Sequence, residues 1–122
     1  MPMHYLTVQD MLAISLEITK ERQRFDYATL EEAVFYQYAS GDSTDLAAQG
    51  ARFINGFKRL APFAEGNGTC AFVGLVAFLE ANAKTLDLTP DEARAWIAGE
   101  SVTKGQIEGK MRDGHVHTKY GV

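Results

Sequence analysis

The chain has little cysteine, little proline and no excess of positive charge. One cysteine, Cys70, among 122 residues excludes an internal disulfide framework and suits a reducing compartment. Proline stands only at positions 2, 62 and 90, so nothing between Met3 and Ala61 forbids long helices. Twelve Lys and Arg face sixteen Asp and Glu, a net charge of -4, which argues against a general nucleic-acid binder with its basic stripe. The longest uncharged apolar stretch, Thr69 to Leu79, is eleven residues and cannot span a bilayer. The start, Met1-Pro2-Met3-His4-Tyr5, lacks both the basic and the apolar region of a secretory signal. The expectation is a cytoplasmic protein with neither membrane nor nucleic acid among its partners. What remains is an ordinary globular balance, 46% apolar and 23% charged, on a chain of single-domain length. The domain is expected over residues 1–122, with a core from about 5 to 112 and a polar C-terminal tail.

Helix start signals recur along the chain. Thr7-Val8-Gln9-Asp10 reads as an N-cap with an acidic residue three positions on. The apolar residues behind it, Val8, Met11, Leu12, Ile14, Leu16 and Ile18, are spread widely enough to predict core contact over much of the girth. Thr29-Leu30-Glu31-Glu32 repeats the cap pattern, with Gly41 as a stop. Asp42 or Ser43 is expected to cap a third helix whose stripe is Leu46, Gly50, Phe53, Ile54, Phe57 and Ala61. A fourth helix starts after Asn67 and is apolar almost all round from Cys70 to Leu79, the mark of a central, buried helix. Thr89-Pro90-Asp91-Glu92 opens a fifth, and a weaker sixth runs from Thr103 to Met111 before His115 and His117. Alternating strand patterns are missing, and Arg22 to Ala28 is the one place where a short hairpin fits. The fold class is all-α.

The segment that carries chemistry is Lys58-Arg59-Leu60-Ala61-Pro62-Phe63-Ala64-Glu65-Gly66-Asn67-Gly68-Thr69-Cys70. It joins two apolar helices through a loop with a carboxylate, two glycines and an asparagine. Glycines at the mouth of a helix let backbone N–H groups approach a phosphate, and the helix dipole favours the negative charge. Glu65 beside them is placed to hold a Mg²⁺ that bridges those phosphates. The same residues also suit a plain helix–helix connection, with Asn67 as N-cap and Glu65 as a solvated charge.

Pro62-Phe63-Ala64-Glu65-Gly66-Asn67-Gly68 resembles the core of the Fic/Doc motif, usually written His-Pro-Phe-x-Asp/Glu-Gly-Asn-Gly/Lys-Arg. The likeness extends beyond the loop. Tyr5-Leu6-Thr7-Val8-Gln9-Asp10 is similar to the start of death-on-curing (Doc) proteins, Leu30-Glu31-Glu32-Ala33-Val34 to an internal segment of that family, and Phe78-Leu79-Glu80-Ala81-Asn82 to its helix end. The resemblance implies a helical bundle around a central motif helix, with an ATP-type nucleotide and Mg²⁺ as cofactors. It implies transfer of a phosphoryl or AMP group to a protein hydroxyl, a target protein as one partner and a small antitoxin as the other. By the same resemblance Glu65 matches the metal ligand, Gly66, Asn67 and Gly68 the phosphate cradle, and Phe63 the hydrophobic anchor of the loop. Arg22 to Ala28 corresponds by position to the flap that clamps the target.

Two positions depart from the motif. Ala61 stands where the family has its general-base His, and Thr69 where it has the Arg that contacts the outer phosphates. Loss of a general base removes about 10²–10⁴-fold in rate. Loss of a cationic clamp on the phosphates removes a further few kcal/mol, on the order of 3. Lys58, one turn before Ala61, and Arg59 beside it are the candidate substitutes. Ala61 is also the change that would disarm such an enzyme. Two functions therefore follow from the resemblance: the toxin component of a toxin–antitoxin pair with impaired transfer, or a degenerate nucleotide- or partner-binding module without turnover.

Other signals are read as structural. Cys70 lies near a helix N-terminus, which lowers a thiol pKa, yet its apolar neighbours point to packing. Trp96 reads as a core contact of the fifth helix. His115-Val116-His117 has no acidic or cysteine partner nearby and reads as a polar end. Lys104-Gly105-Gln106-Ile107-Glu108-Gly109 lacks the hydroxyl residue of the family's inhibitory segment and is not expected to block the loop.

Overall fold

Five of the six helices among the described residues begin where a side chain accepts from a backbone N–H of the first turn. The computed structural model describes residues 3–38, 44–99 and 101–114. Among these, six helices and one short two-stranded sheet make an all-α architecture. Helix α1 spans Val8–Thr19 and starts on the expected box, Thr7 accepting from Asp10 N–H and Asp10 from Thr7 N–H. Helix α5, Pro90–Ala98, and helix α6, Lys104–Lys110, start on matching boxes at Thr89/Glu92 and Thr103/Gln106. Such boxes join residues three apart, which is why these starts are legible locally.

Two starts differ from expectation. Helix α2 spans Tyr27–Phe35, and its cap is Asp26, whose carboxylate accepts from Thr29 N–H at 2.9 Å. Thr29 is thus inside the first turn, because an upstream carboxylate had already closed it. Helix α3, Leu46–Leu60, is capped by Asp45, which accepts from Ala48 N–H at 3.2 Å. The expected caps Asp42 and Ser43 and the stop Gly41 lie outside the described residues, as do His115 and His117.

Helix α4, Asn67–Ala81, takes the central place predicted for it. It packs against α1, α3 and α5. Cys70, Ala71, Leu75, Phe78 and Leu79 on α4 and Phe53, Ile54 and Phe57 on α3 are fully buried, and Trp96 joins the core from α5. Helix α1 makes the broad core contact predicted for it: Met11 is fully buried and Val8, Leu12, Ile14 and Ile18 pack half-buried against the core, while Leu16 is 45% exposed. The sheet was not expected. Strand β1, Lys84–Leu86, pairs antiparallel with β2, Met111–Asp113, in the register Lys84↔Asp113. Three residues per strand are too few for alternation to register in the sequence. The expected Arg22–Ala28 hairpin is instead a single antiparallel bridge between Phe25 and Phe63.

Candidate functional site

The loop between α3 and α4 is built from its hydrogen bonds outward. Helix α3 ends at Ala61, whose backbone is left-handed (φ 46°, ψ 62°) and whose N–H donates to Phe57 C=O at 2.9 Å. This conformation brings a sharp change of direction, and Pro62 then prevents the helix from resuming. Phe63 is buried, packed on the rings of Phe57 and Phe25 with centroids 6.0 and 6.1 Å away. It is the anchor expected of it.

The residues 22–26 brace the loop from the other side. Asp26 N–H donates to Pro62 C=O at 3.1 Å, and Ala64 N–H to Arg24 C=O at 3.0 Å. Gln23 adds a side-chain link, accepting from Glu65 N–H at 2.9 Å while its amide donates to Ser15 Oγ at 2.6 Å. The segment placed beside the motif by position alone is therefore hydrogen-bonded to it. Between this segment and α1 lies a groove of about 370 Å³ lined chiefly by Leu12, Leu16, Phe25 and Phe63.

Asn67 does not cap α4, as the plain-connection reading expected. It is the first helical residue, and Gly66 takes the cap position. The Asn67 side chain turns back on the loop, Oδ1 accepting from Phe63 N–H at 3.0 Å and Nδ2 donating to Phe63 C=O at 2.9 Å. Gly66 is left-handed (φ 74°), a conformation that L side chains rarely adopt. Gly68 is needed for a different reason. A Cβ there would lie 2.6 Å from Ile97 C=O, so α4 approaches the end of α5 closely at this point.

No side chain caps the start of α4, which leaves the N–H groups of Asn67, Gly68 and Thr69 without intrahelical partners. Glu65 is exposed on the loop just before them. The donor set suits the oxygens of a phosphate. As a metal site it is a single carboxylate, and no group of three His, Cys, Asp or Glu gathers among the described residues. One carboxylate alone makes no protein cage for a metal ion.

Ala61 is exposed and ends in a methyl group, which accepts no proton. Thr69 sits half-buried on the first turn of α4. Lys58 and Arg59 are both engaged elsewhere. Lys58 Nζ donates to Trp96 C=O at 2.9 Å and Gly99 C=O at 3.0 Å, where it caps the C-terminus of α5. Burial lowers its pKa, but the ammonium is bound to carbonyls rather than aimed at the loop. Arg59 lies over the Tyr36 ring, 5.4 Å from its centroid. Both residues line a depression of about 370 Å³ with Gly68 and Ile97, on the α5 flank of the helix start.

Cys70 is fully buried, and burial pushes its thiol up to about 11, against a smaller opposing effect of Ser15. Its full burial in the core is the packing role expected of it. Helix α6 packs on α3, with Lys104 paired to Asp45 at 2.5 Å. No helix among the described residues is long and apolar enough to cross a membrane. Compared with family models, curated proteins and solved structures, the chain matches none.

Proposed function

We propose that this chain is a Fic/Doc-type protein of the death-on-curing kind, derived from the toxin of a toxin–antitoxin pair, which holds a nucleotide at the Pro62–Gly68 loop and is impaired in group transfer. One observation carries the reading. The residues that resemble the motif core form a braced loop whose exposed carboxylate, Glu65, precedes three unpaired N–H groups at the start of the central helix. The phosphates of an ATP-type nucleotide meet the N–H groups of Asn67, Gly68 and Thr69. Glu65 holds Mg²⁺ against them, and the ion supplies neutralisation of phosphate charge. The braced segment 22–26 and the groove beside it receive the target protein, and a small antitoxin is the second partner. The protein acts in the cytoplasm.

The chemistry is limited by two side chains. A protein hydroxyl that attacks phosphorus must lose its proton, and Ala61 cannot accept it. Transfer by a bound nucleotide then loses about 10²–10⁴-fold. Thr69 leaves the outer phosphates without a cation, and a missing charge-assisted contact of ~1.5–3 kcal/mol weakens binding by roughly ten- to a hundredfold. The commitment of Lys58 to α5 favours a second reading, a module that binds nucleotide or partner without turnover.

Calorimetric titration with Mg-ATP tests the first step. Weak binding that falls with Glu65→Ala only when Mg²⁺ is present supports the site, and no heat at millimolar nucleotide overturns it. Labelled ATP with a cell lysate tests the second. The chain as written should label no target, and Ala61→His combined with Thr69→Arg should restore a band if the loop descends from a transferase. Nucleotide binding without restored labelling selects the binding module.

A further inference from the structure

We propose that the outer face of α2 is a docking surface for a basic amphipathic helix of a partner protein. The helix buries Leu30, Ala33 and Val34 inward, with Gln37 just beyond its end. Its exposed side carries Tyr27, Glu31 and Phe35 at i, i+4 and i+8, two aromatic residues with a carboxylate between them. Tyr38 follows on a tight turn, its ring 5.3 Å from that of Phe35 and 4.3 Å from that of Tyr5. Phe35 is 65% exposed and Tyr27 55%, the two most exposed large apolar side chains in the described residues. No core contact accounts for these aromatic residues on the solvent side of a helix. Aromatic side chains in such clusters are what interface centres are made of.

The charges on this face select the occupant. Glu31 and Glu32 are exposed along it, and neither pairs with a basic group among the described residues. A second copy of this chain fits poorly, because two-fold pairing centred on the face sets Glu31 and Glu32 against their own counterparts. An extended peptide has no purchase, since the backbone of a helix offers no free edge to a strand. An anionic lipid surface or a nucleic acid is repelled by the same carboxylates. A helix with apolar residues at i, i+4 and i+7, flanked by Lys or Arg, satisfies both the aromatic rings and the carboxylates. This surface is distinct from the loop and does not rest on its nucleotide reading.

Two synthetic helical peptides about five turns long, one of Leu and Lys and one of Leu and Glu, serve as probes against the isotope-labelled full chain. The Leu–Lys peptide should shift amide resonances along α2 and around Tyr38, more weakly as salt rises. Phe35→Ser should reduce its affinity at least about tenfold. The double change Glu31→Lys with Glu32→Lys should transfer the preference to the Leu–Glu peptide. Both changes lie on exposed positions, so the thermal transition should stay intact and confirm a folded chain. Shifts centred away from α2, equal binding of both peptides, or indifference to Phe35→Ser overturns the proposal. Sedimentation showing a dimer that Phe35→Ser dissolves also overturns it, in favour of a second copy as occupant.

Discussion

The side chain of Asn67 clasps the backbone of Phe63 from both sides, accepting its N–H at 3.0 Å and donating to its C=O at 2.9 Å. The two bonds close the loop over four residues and set the direction from which α4 begins. Because Phe63 is buried, its backbone groups have no ready replacement in water.

Asn67→Ala should therefore destabilise the chain by about 2–3 kcal/mol, two lost bonds plus the cost of unpaired buried groups. Asn67→Asp keeps the acceptor and loses the donor, and should fall between the two. Urea denaturation of the three proteins checks the order. A loss below about 0.5 kcal/mol for Asn67→Ala would mean the clasp is not holding the loop.

Ala61 holds a left-handed backbone (φ 46°) that costs an L residue about 1–2 kcal/mol. Glycine removes that strain but adds freedom to the unfolded chain worth about 0.4–1 kcal/mol. Ala61→Gly should gain about 0.5–1 kcal/mol, the difference between these effects. Ala61→Val should lose stability, since β-branching is least tolerated at positive φ. Histidine is enriched in this conformation, so the Ala61→His variant used above should fold normally.

Gly68 is required by packing. A Cβ at this position meets the backbone oxygen of Ile97 at 2.6 Å, and that oxygen cannot swing away like a side-chain tip. Gly68→Ala should cost about 1–3 kcal/mol whether or not nucleotide is present. Gly109, within α6, has open space where a Cβ would go, and Gly109→Ala should instead gain about 0.5–1 kcal/mol. Thermal melts of both variants test the contrast.

Acid should weaken the fold partly through Glu92. Its carboxyl is held down at about 2 from an ordinary 4.5, first by the hydrogen bond with Lys110 and then by Thr89 N–H. A depressed pKa means the folded state favours the charged form. The contribution is complete above pH 4.5, erodes below it and is gone once the pH falls through about 2. Glu92→Gln keeps the capping geometry, removes the Lys110 pair at 2.6 Å and should flatten the stability profile across that window. Asp26, Asp45 and Asp113 are also held low, so part of the acid sensitivity should persist in the variant.

Cys70 should resist alkylation in the native chain at pH 8 and react at once in denaturant. Its thiol is fully buried and shifted to about 11. Rapid native labelling would show that the N-terminal half of α4 opens easily.

The sequence by itself determined what depends on near neighbours. The helix starts at Thr7, Thr89 and Thr103 were legible because the signals that open them lie within a few residues of each other. The central place of α4 was legible because an uncharged helix has nowhere else to go. The contiguous motif likewise placed Glu65, Gly66, Asn67 and Gly68 together at the head of that helix. Tertiary structure alone decided where their side chains and neighbours point. On α1 the sequence read the broad core contact, and packing alone decided that Met11 is fully buried while Leu16 is 45% exposed. Lys58 was readable as a cation near the motif, yet its partners are carbonyls 38 and 41 positions away on α5. The bridge of Phe25 to Phe63 and the short sheet β1–β2 arise the same way. Such contacts form only when distant elements are brought side by side, and a hydrogen bond between them leaves no periodicity in either segment.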